Sequence, residues 1–282
     1  MRMAYSFTLG YDRVTPRPRW GFGQPPHPRL TAILESRRAE YEAFLDALAG
    51  HRAHLHAIAH DPDAAHPTKP HWKNDWFSAL DAAALMGMLL TRKPNIYVEI
   101  GSGHSTMFAA HTIRSAGLKT VIKSIDPQPR AEIDSLCDFT VRGALEYCAP
   151  DIFDELGAGD ILFFDGSHRV FQNSDVTAFF LEVLPRLKPG VIVHIHDIFL
   201  PCDYPPEWAE RLFSEQYMLA AMMLCGDPPF RVLLPNYFVS TDPALSARLR
   251  EIFRAPNGGV DIPLHYANAG ATPGVSFWLE TR

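Results

Sequence analysis

The stretch Val98-Glu99-Ile100-Gly101-Ser102-Gly103-His104-Ser105-Thr106 decides how this chain is read. It closes an apolar run, Ile96–Ile100, that reads as a buried strand. Two glycines two apart at a strand end let the backbone turn tightly against a ligand. The helix expected over Thr106–Ser115 then offers unpaired N–H groups at its start. A dinucleotide site calls for a third glycine at position 106, where Thr106 stands. Glu99, two residues before the first glycine, repels a pyrophosphate and suits a ligand carrying positive charge, such as an ammonium group.

Outward from this turn the chain alternates short apolar runs with helical patterns. Strands are expected over Thr120–Ile125, Phe139–Val141, Ile161–Phe164 and Val191–Ile195. Helices are expected over Arg130–Leu136, in the residues up to Leu156, and over Ser174–Leu187. Such alternation is the pattern of a parallel sheet covered on both faces. Each strand ends in residues able to do chemistry. The second ends S-I-D-P, placing Asp126 where an adenosine ribose diol is gripped. The third is followed by Gly143 and Ala144, which leave room for a flat ring. The fourth ends F-F-D-G-S-H and the fifth H-I-H-D-I-F. Five strand ends therefore converge on the edge of the sheet where open α/β folds bind ligands.

Before residue 96 the texture differs. Residues 1–29 are proline-rich and read as an extended arm. Residues 29–58 carry apolar positions at three- and four-residue spacing, giving a helix or helical pair that Gly50 divides. A polar, proline-broken connection follows over 60–75. A helix is expected over Phe77–Leu90, capped by Asn74 or Asp75 and stopped at Lys93-Pro94. The division is thus an arm and helical extension over 1–71 and an α/β domain over 72–282. In the last third, a helix over Glu207–Leu224 precedes two strands, Phe230–Leu234 and Val275–Leu279.

The 282 residues carry 26 Lys plus Arg against 32 Asp plus Glu, a net charge of -6, so there is no basic excess to favour nucleic acid. No apolar run approaches membrane-spanning length, and the first residues lack a secretory apolar core. The four cysteines form no CxxC pair, and a reduced, cytoplasmic setting fits them best.

On the motifs E-I-G-S-G-H-S-T and S-I-D-P, roughly residues 72–282 resemble class I S-adenosylmethionine-dependent methyltransferases. More narrowly, they resemble the branch of catechol and macrolide-sugar O-methyltransferases. The resemblance implies a doubly wound, seven-stranded, mainly parallel Rossmann-like sheet with an antiparallel last strand, here behind an N-terminal helical extension. It implies S-adenosylmethionine as cofactor. Glu99, Gly101, Ser102, Gly103, Ser105 and Thr106 would form the methionine cradle, with Asp126 on the ribose, Gly143 and Ala144 beside the adenine, and Asp165 at the cofactor's rim. Ser105 stands where the general pattern has its third glycine.

The resemblance also implies metal positions. One carboxylate follows strand four, at Asp165, and two ligands follow strand five, at His196 and Asp197. Two carboxylates suit Mg²⁺, whereas a histidine ligand favours Mn²⁺, Fe²⁺ or Zn²⁺. His168, three residues after Asp165, matches the general base of the macrolide-sugar enzymes; the catechol enzymes place a lysine there. A plainer reading makes Asp165 a turn cap and His196 a core histidine. Tyr204 and Trp208, in the loop after strand five, are placed where that loop covers the acceptor. The histidines of residues 51–71 match no ligand spacing and read as solvated. Met218, Met222 and Met223 read as core.

The expected activity is methyl transfer to a small-molecule acceptor, at a hydroxyl oxygen, with no nucleic-acid or membrane partner and with a homo-oligomer left open. The alternatives are a non-catalytic S-adenosylmethionine- or S-adenosylhomocysteine-binding protein and a nicotinamide-dependent oxidoreductase.

Overall fold

The computed structural model describes residues 16–129, 132–264 and 274–282. Residues 1–15 of the expected arm and the start of the helix expected at Arg130 lie outside the described residues. Seven strands form one sheet: β1 (Ile96–Ile100), β2 (Val121–Ile125), β3 (Phe139–Val141), β4 (Ile161–Phe164), β5 (Ile192–Ile195), β6 (Phe230–Pro235) and β7 (Phe277–Thr281). Their order is β3-β2-β1-β4-β5-β7-β6. β1 to β5 pair in parallel, and β7 runs antiparallel between β5 and β6. Every residue of β4 and β5 is buried, as expected of central strands covered on both faces. At the β3 edge Phe139 is exposed.

The chain winds outward from β1 to β3 in one direction and from β4 to β5 in the other. A crevice therefore opens at the carboxyl ends of β1 and β4, the switch point where doubly wound sheets hold ligands.

The helices are α1 (Pro28–Glu35), α2 (Arg38–Gly50), α3 (Arg52–His56), α4 (Ala79–Arg92), α5 (His104–Ser115), α6 (Asp175–Ala178), α7 (Glu215–Leu224), α8 (Asn236–Thr241) and α9 (Pro243–Phe253). The last two fill the excursion between β6 and β7. The cap of α4 is Ser78, whose Oγ accepts from the Asp81 N–H, rather than Asn74 or Asp75. Asn74 instead closes the preceding turn by accepting from Phe77 N–H at 2.7 Å. Ser78 is the hydroxyl that immediately precedes the first turn, so it reaches the unpaired donors of that turn.

Four expected helices break, and the one expected in the residues up to Leu156 is reduced to tight turns over Leu145–Tyr147 and Pro150–Phe153. The 174–187 segment is α6, then a wide turn over Phe179–Val183 and a tight turn over Leu184–Arg186 containing Pro185, which cannot donate a helical hydrogen bond. The 207–224 segment is a tight-turn helix over Pro206–Arg211 and then α7, separated at Leu212 with φ +54°. Of the described residues 132–136, only Asp134–Leu136 winds.

Leu30, Leu34, Tyr41, Leu45 and Leu48 from the N-terminal helices share one continuous core with α4 and the sheet. Arg37 Nε donates to the Val232 carbonyl of β6 at 2.8 Å. Among the described residues no helix is long and apolar enough to cross a membrane, and all four cysteines are free.

Candidate active site

The loop after β1 is built by its own side chains. Gly101 has φ +80°, a conformation L side chains rarely adopt. Ser102 N–H donates to Asp126 Oδ2 at 2.8 Å, and the Ser102 and Ser124 hydroxyls share a hydrogen bond of 2.9 Å. Gly103 N–H donates to Thr106 Oγ1 at 3.0 Å, and that hydroxyl in turn donates to Glu99 Oε2. Tyr97 OH donates to Glu99 Oε1 at 2.9 Å. Glu99 is therefore wholly buried beneath the loop. It shapes the loop from below instead of reaching into open space. Burial pushes its carboxyl up to about 7, despite the hydroxyls around it. Ser105 is buried in the first turn of α5.

Among the described residues each oxygen of Asp126 accepts one backbone N–H. Oδ2 receives Ser102, and Oδ1 receives Gln128 N–H at 2.7 Å. Beyond it, Gly143 and Ala144 line a cavity of about 570 Å³ together with Arg142, Tyr147 and Cys148. A Cβ on Gly143 would touch only Val141, at 3.9 Å, so the floor there is open.

At the ends of β4 and β5 four side chains converge. Asp165 and Asp197 follow the paired residues Phe164 and Ile195 closely, so parallel register brings them to the same rim. His168 Nε2 lies 3.2 Å from Asp165 Oδ1 and 3.3 Å from Asp197 Oδ2. His196 Nδ1 lies 3.6 Å from Asp165 Oδ1 and 3.4 Å from Asp197 Oδ1. His168 and Asp197 both have positive φ, +61° and +56°, a local strain that aims their side chains inward.

Two further carboxylates stand behind the imidazoles. Glu215, at the start of α7 and 1% exposed, sits 2.5 Å from His168 Nδ1. Asp81, on α4 and fully buried, sits 3.4 Å from His196 Nε2. The electrostatics follow this crowding. Burial alone would lower both imidazoles, but the surrounding carboxylates outweigh it and hold His168 and His196 well above the ordinary histidine value. Burial would likewise raise Asp165, yet His196 and His168 hold it well below the usual carboxylate range. Glu215 is pushed up to about 7 by burial, against the pull of His168.

One ligand atom each from Asp165, His168 and Asp197 lies within 4.8 Å of the others, a donor set that fits a divalent cation. Among the described residues no other group of three such side chains does so. The six histidines of residues 51–71 form none; His66 pairs with Asp63 and His56 reaches the Ile252 carbonyl.

The four rim residues floor a second cavity, of about 460 Å³. Its walls include Trp76, Trp208 and Phe213, and Arg211 stacks its guanidinium over Trp208 at 3.9 Å. Trp208 thus lines this cavity. Tyr204 turns instead into a small cluster with Phe199 and Val275, and its hydroxyl accepts from Gln216 N–H.

Residues 98–198, from within β1 to just past Asp197, match a family described as a methyltransferase domain. Over those residues the chain is similar to methyltransferase domains. No curated protein matches the sequence. Solved structures similar to this chain include the Podospora anserina methyltransferase PaMTH1 bound to SAH, at 20% identity over 67% of this chain and 83% of that one, with a TM-score of 0.41. The MycE methyltransferase of the mycinamycin biosynthetic pathway, in complex with Mg, SAH and mycinamycin VI, is 15% identical over 75% of this chain and 52% of that one, with a TM-score of 0.41. An O-methyltransferase from Bacillus cereus in complex with SAH is 13% identical over 85% and 91%, with a TM-score of 0.36.

Sequence reading missed Glu215 and Asp81. Asp81 had a signal: it is the one charged residue in A-L-D-A-A-A-L-M-G-M-L-L, residues 79–90, and a carboxylate in so apolar a helix needs a buried partner. Glu215 carried no comparable mark, because its role comes from α7 folding back over the loop after β4.

Proposed function

We propose that the protein transfers a methyl group from S-adenosylmethionine to a hydroxyl oxygen of a small-molecule acceptor. The observation that carries this reading is the meeting of the β1 loop with the Asp165–Asp197 rim at the switch point, where the backbone of Gly101 packs on the backbone of Asp165. The cradle of Gly101, Ser102, Gly103 and Thr106 would take the methionine moiety, and its ammonium group would favour the ionised form of Glu99 beneath the loop. Asp126 would accept from the ribose hydroxyls, and the adenine would lie by Gly143 and Ala144. The acceptor would enter the cavity walled by Trp76 and Trp208, which offer flat apolar faces to a ring.

The sulfonium already activates the methyl group, so the protein has to align the acceptor and relieve it of a proton. Two arrangements of the rim do this: a free Nε2 on His168 as general base, or a divalent cation on the carboxylates that acidifies the hydroxyl. The cation would supply Lewis acidity; Asp165 and Asp197 would hold it. His168 lies in the cavity wall, which speaks against a binding protein without catalytic groups.

Calorimetry with S-adenosylhomocysteine and with NADH tests the cofactor, and binding of the first alone is expected. Incubation with labelled S-adenosylmethionine and a panel of catechols, sugars and hydroxy acids then tests the acceptor class. Binding of NADH in place of S-adenosylhomocysteine overturns the reading.

A further inference from the structure

We propose that Asp165, His168 and Asp197 ligate a transition-metal ion, and that Glu215 is the positioning residue that fixes the His168 ring for this task. The inference rests on the methyltransferase reading and moves His168 from proton acceptor to ligand.

The tautomer comes first. With Glu215 Oε1 2.5 Å away, His168 Nδ1 keeps its hydrogen and donates it, so the nitrogen that would give up its proton to an incoming ion is Nε2. A metal-bound histidine whose other ring nitrogen donates to a carboxylate has this arrangement. α7 also grips the backbone of His168, whose carbonyl accepts from Ser214 N–H at 2.8 Å and Glu215 N–H at 3.3 Å. The ring is thereby held from both ends by one turn of helix, and the left-handed φ at His168 is fixed with it.

The direction of the lone pair comes second. Nε2 faces Asp165 Oδ1 at 3.2 Å and Asp197 Oδ2 at 3.3 Å. Ligands about 2.1 Å from one ion, at angles of roughly 90–110°, stand about 3.0–3.4 Å apart. Both spacings fall in that interval. A base serving an acceptor would turn this nitrogen toward the cavity mouth rather than toward two acids.

The carboxylates supply the third observation. Among the described residues neither Asp165 nor Asp197 accepts a hydrogen bond from a backbone N–H or a hydroxyl. Carboxylates at strand ends beside free backbone donors ordinarily cap turns, and Asp126 does so one strand away. The rim acids are reserved for positive charge. One lone pair cannot both ligate an ion and take a proton, so His168 as a ligand is not the general base. A nitrogen with two oxygens suits Mn²⁺, Fe²⁺, Co²⁺ or Zn²⁺ better than Mg²⁺, which prefers an all-oxygen shell.

The test is metal binding by the full chain, read without turnover. Metal-free protein is loaded with Mn²⁺, and ¹⁴N couplings to the ion are measured by pulsed electron paramagnetic resonance. His168→Asn keeps a residue that tolerates positive φ and should abolish the coupling and weaken Mn²⁺ at least tenfold. Glu215→Gln should weaken Mn²⁺ about tenfold with the coupling altered. His196→Asn should leave the coupling in place. S-adenosylhomocysteine affinity, measured on each variant, reports an intact fold and is expected to persist. Absence of ¹⁴N coupling in the wild-type protein overturns the proposal, as does its survival in His168→Asn. Either result, with S-adenosylhomocysteine still bound, leaves the methyltransferase reading standing; loss of that ligand from the wild-type protein removes the reading itself.

Discussion

A Cβ built on Gly101 would lie 1.9 Å from the carbonyl oxygen of Asp165. The β1 loop and the Asp165–Asp197 rim are therefore one packed unit, joined where β1 and β4 end side by side. Gly101→Ala places a methyl group inside that oxygen and forces an L side chain to φ +80°. A cost of at least about 2 kcal/mol is expected, because backbone rather than a flexible side chain must move. Chemical denaturation gives the loss, and calorimetry should show S-adenosylhomocysteine and metal affinity falling together. A variant as stable as the parent, with both affinities intact, contradicts the coupling.

Asp126 accepts from the Ser102 N–H, and on the proposed reading it also offers oxygens to a ribose diol. Each charge-assisted hydrogen bond is worth about 1.5–3 kcal/mol. Asp126→Ala should weaken S-adenosylhomocysteine at least tenfold while circular dichroism stays that of the folded chain. Unchanged affinity removes Asp126 from the cofactor site.

How much of this was legible in the sequence depends on the range of the interaction. β1, β3 and β4 fall on their expected residues, because short apolar runs bounded by glycine, proline or aspartate specify strands locally. The helices broke where backbone chemistry intervened, at Pro185 and at Leu212. The carboxylates behind the imidazoles are a tertiary matter. Glu215 meets His168 across 47 positions, and Asp81 meets Ser276 across 195. No periodicity spans such distances.

Glu99 gives stability a pH signature. Its folded value is raised to about 7, whereas an unfolded glutamate titrates near ~4.3. The folded chain thus holds a proton that the unfolded chain has released, and this contribution fades as pH rises through that window. Glu99→Gln cannot titrate. The difference in unfolding free energy should move in favour of the variant by up to about 3 kcal/mol between pH 4.5 and 7, and then level off. Denaturant melts of both proteins at pH 5, 6, 7 and 8 measure it. A difference independent of pH shows that Glu99 is ionised throughout.

Asp81 ties α4 to the start of β7 and to the rim. Oδ1 accepts from Asn236 Nδ2 and Ser276 N–H, each at 2.7 Å, and Oδ2 accepts from the Ser78 hydroxyl at 2.7 Å while facing His196 Nε2. Asp81→Ala leaves several buried donors without an acceptor, each costing about 1–3 kcal/mol, so a loss of roughly 3 kcal/mol or more is expected. Asp81→Asn keeps the Oδ1 bonds and should cost much less. Its new amide would, however, donate toward His196 Nε2 and so disfavour the hydrogen on that nitrogen, leaving the ring neutral with its hydrogen on Nδ1, facing Asp165 and Asp197. ¹⁵N shifts of the labelled His196 ring should report the loss of the Nε2 hydrogen. Equal stability of the alanine and asparagine variants would mean that the buried acceptor does not hold α4 to β7.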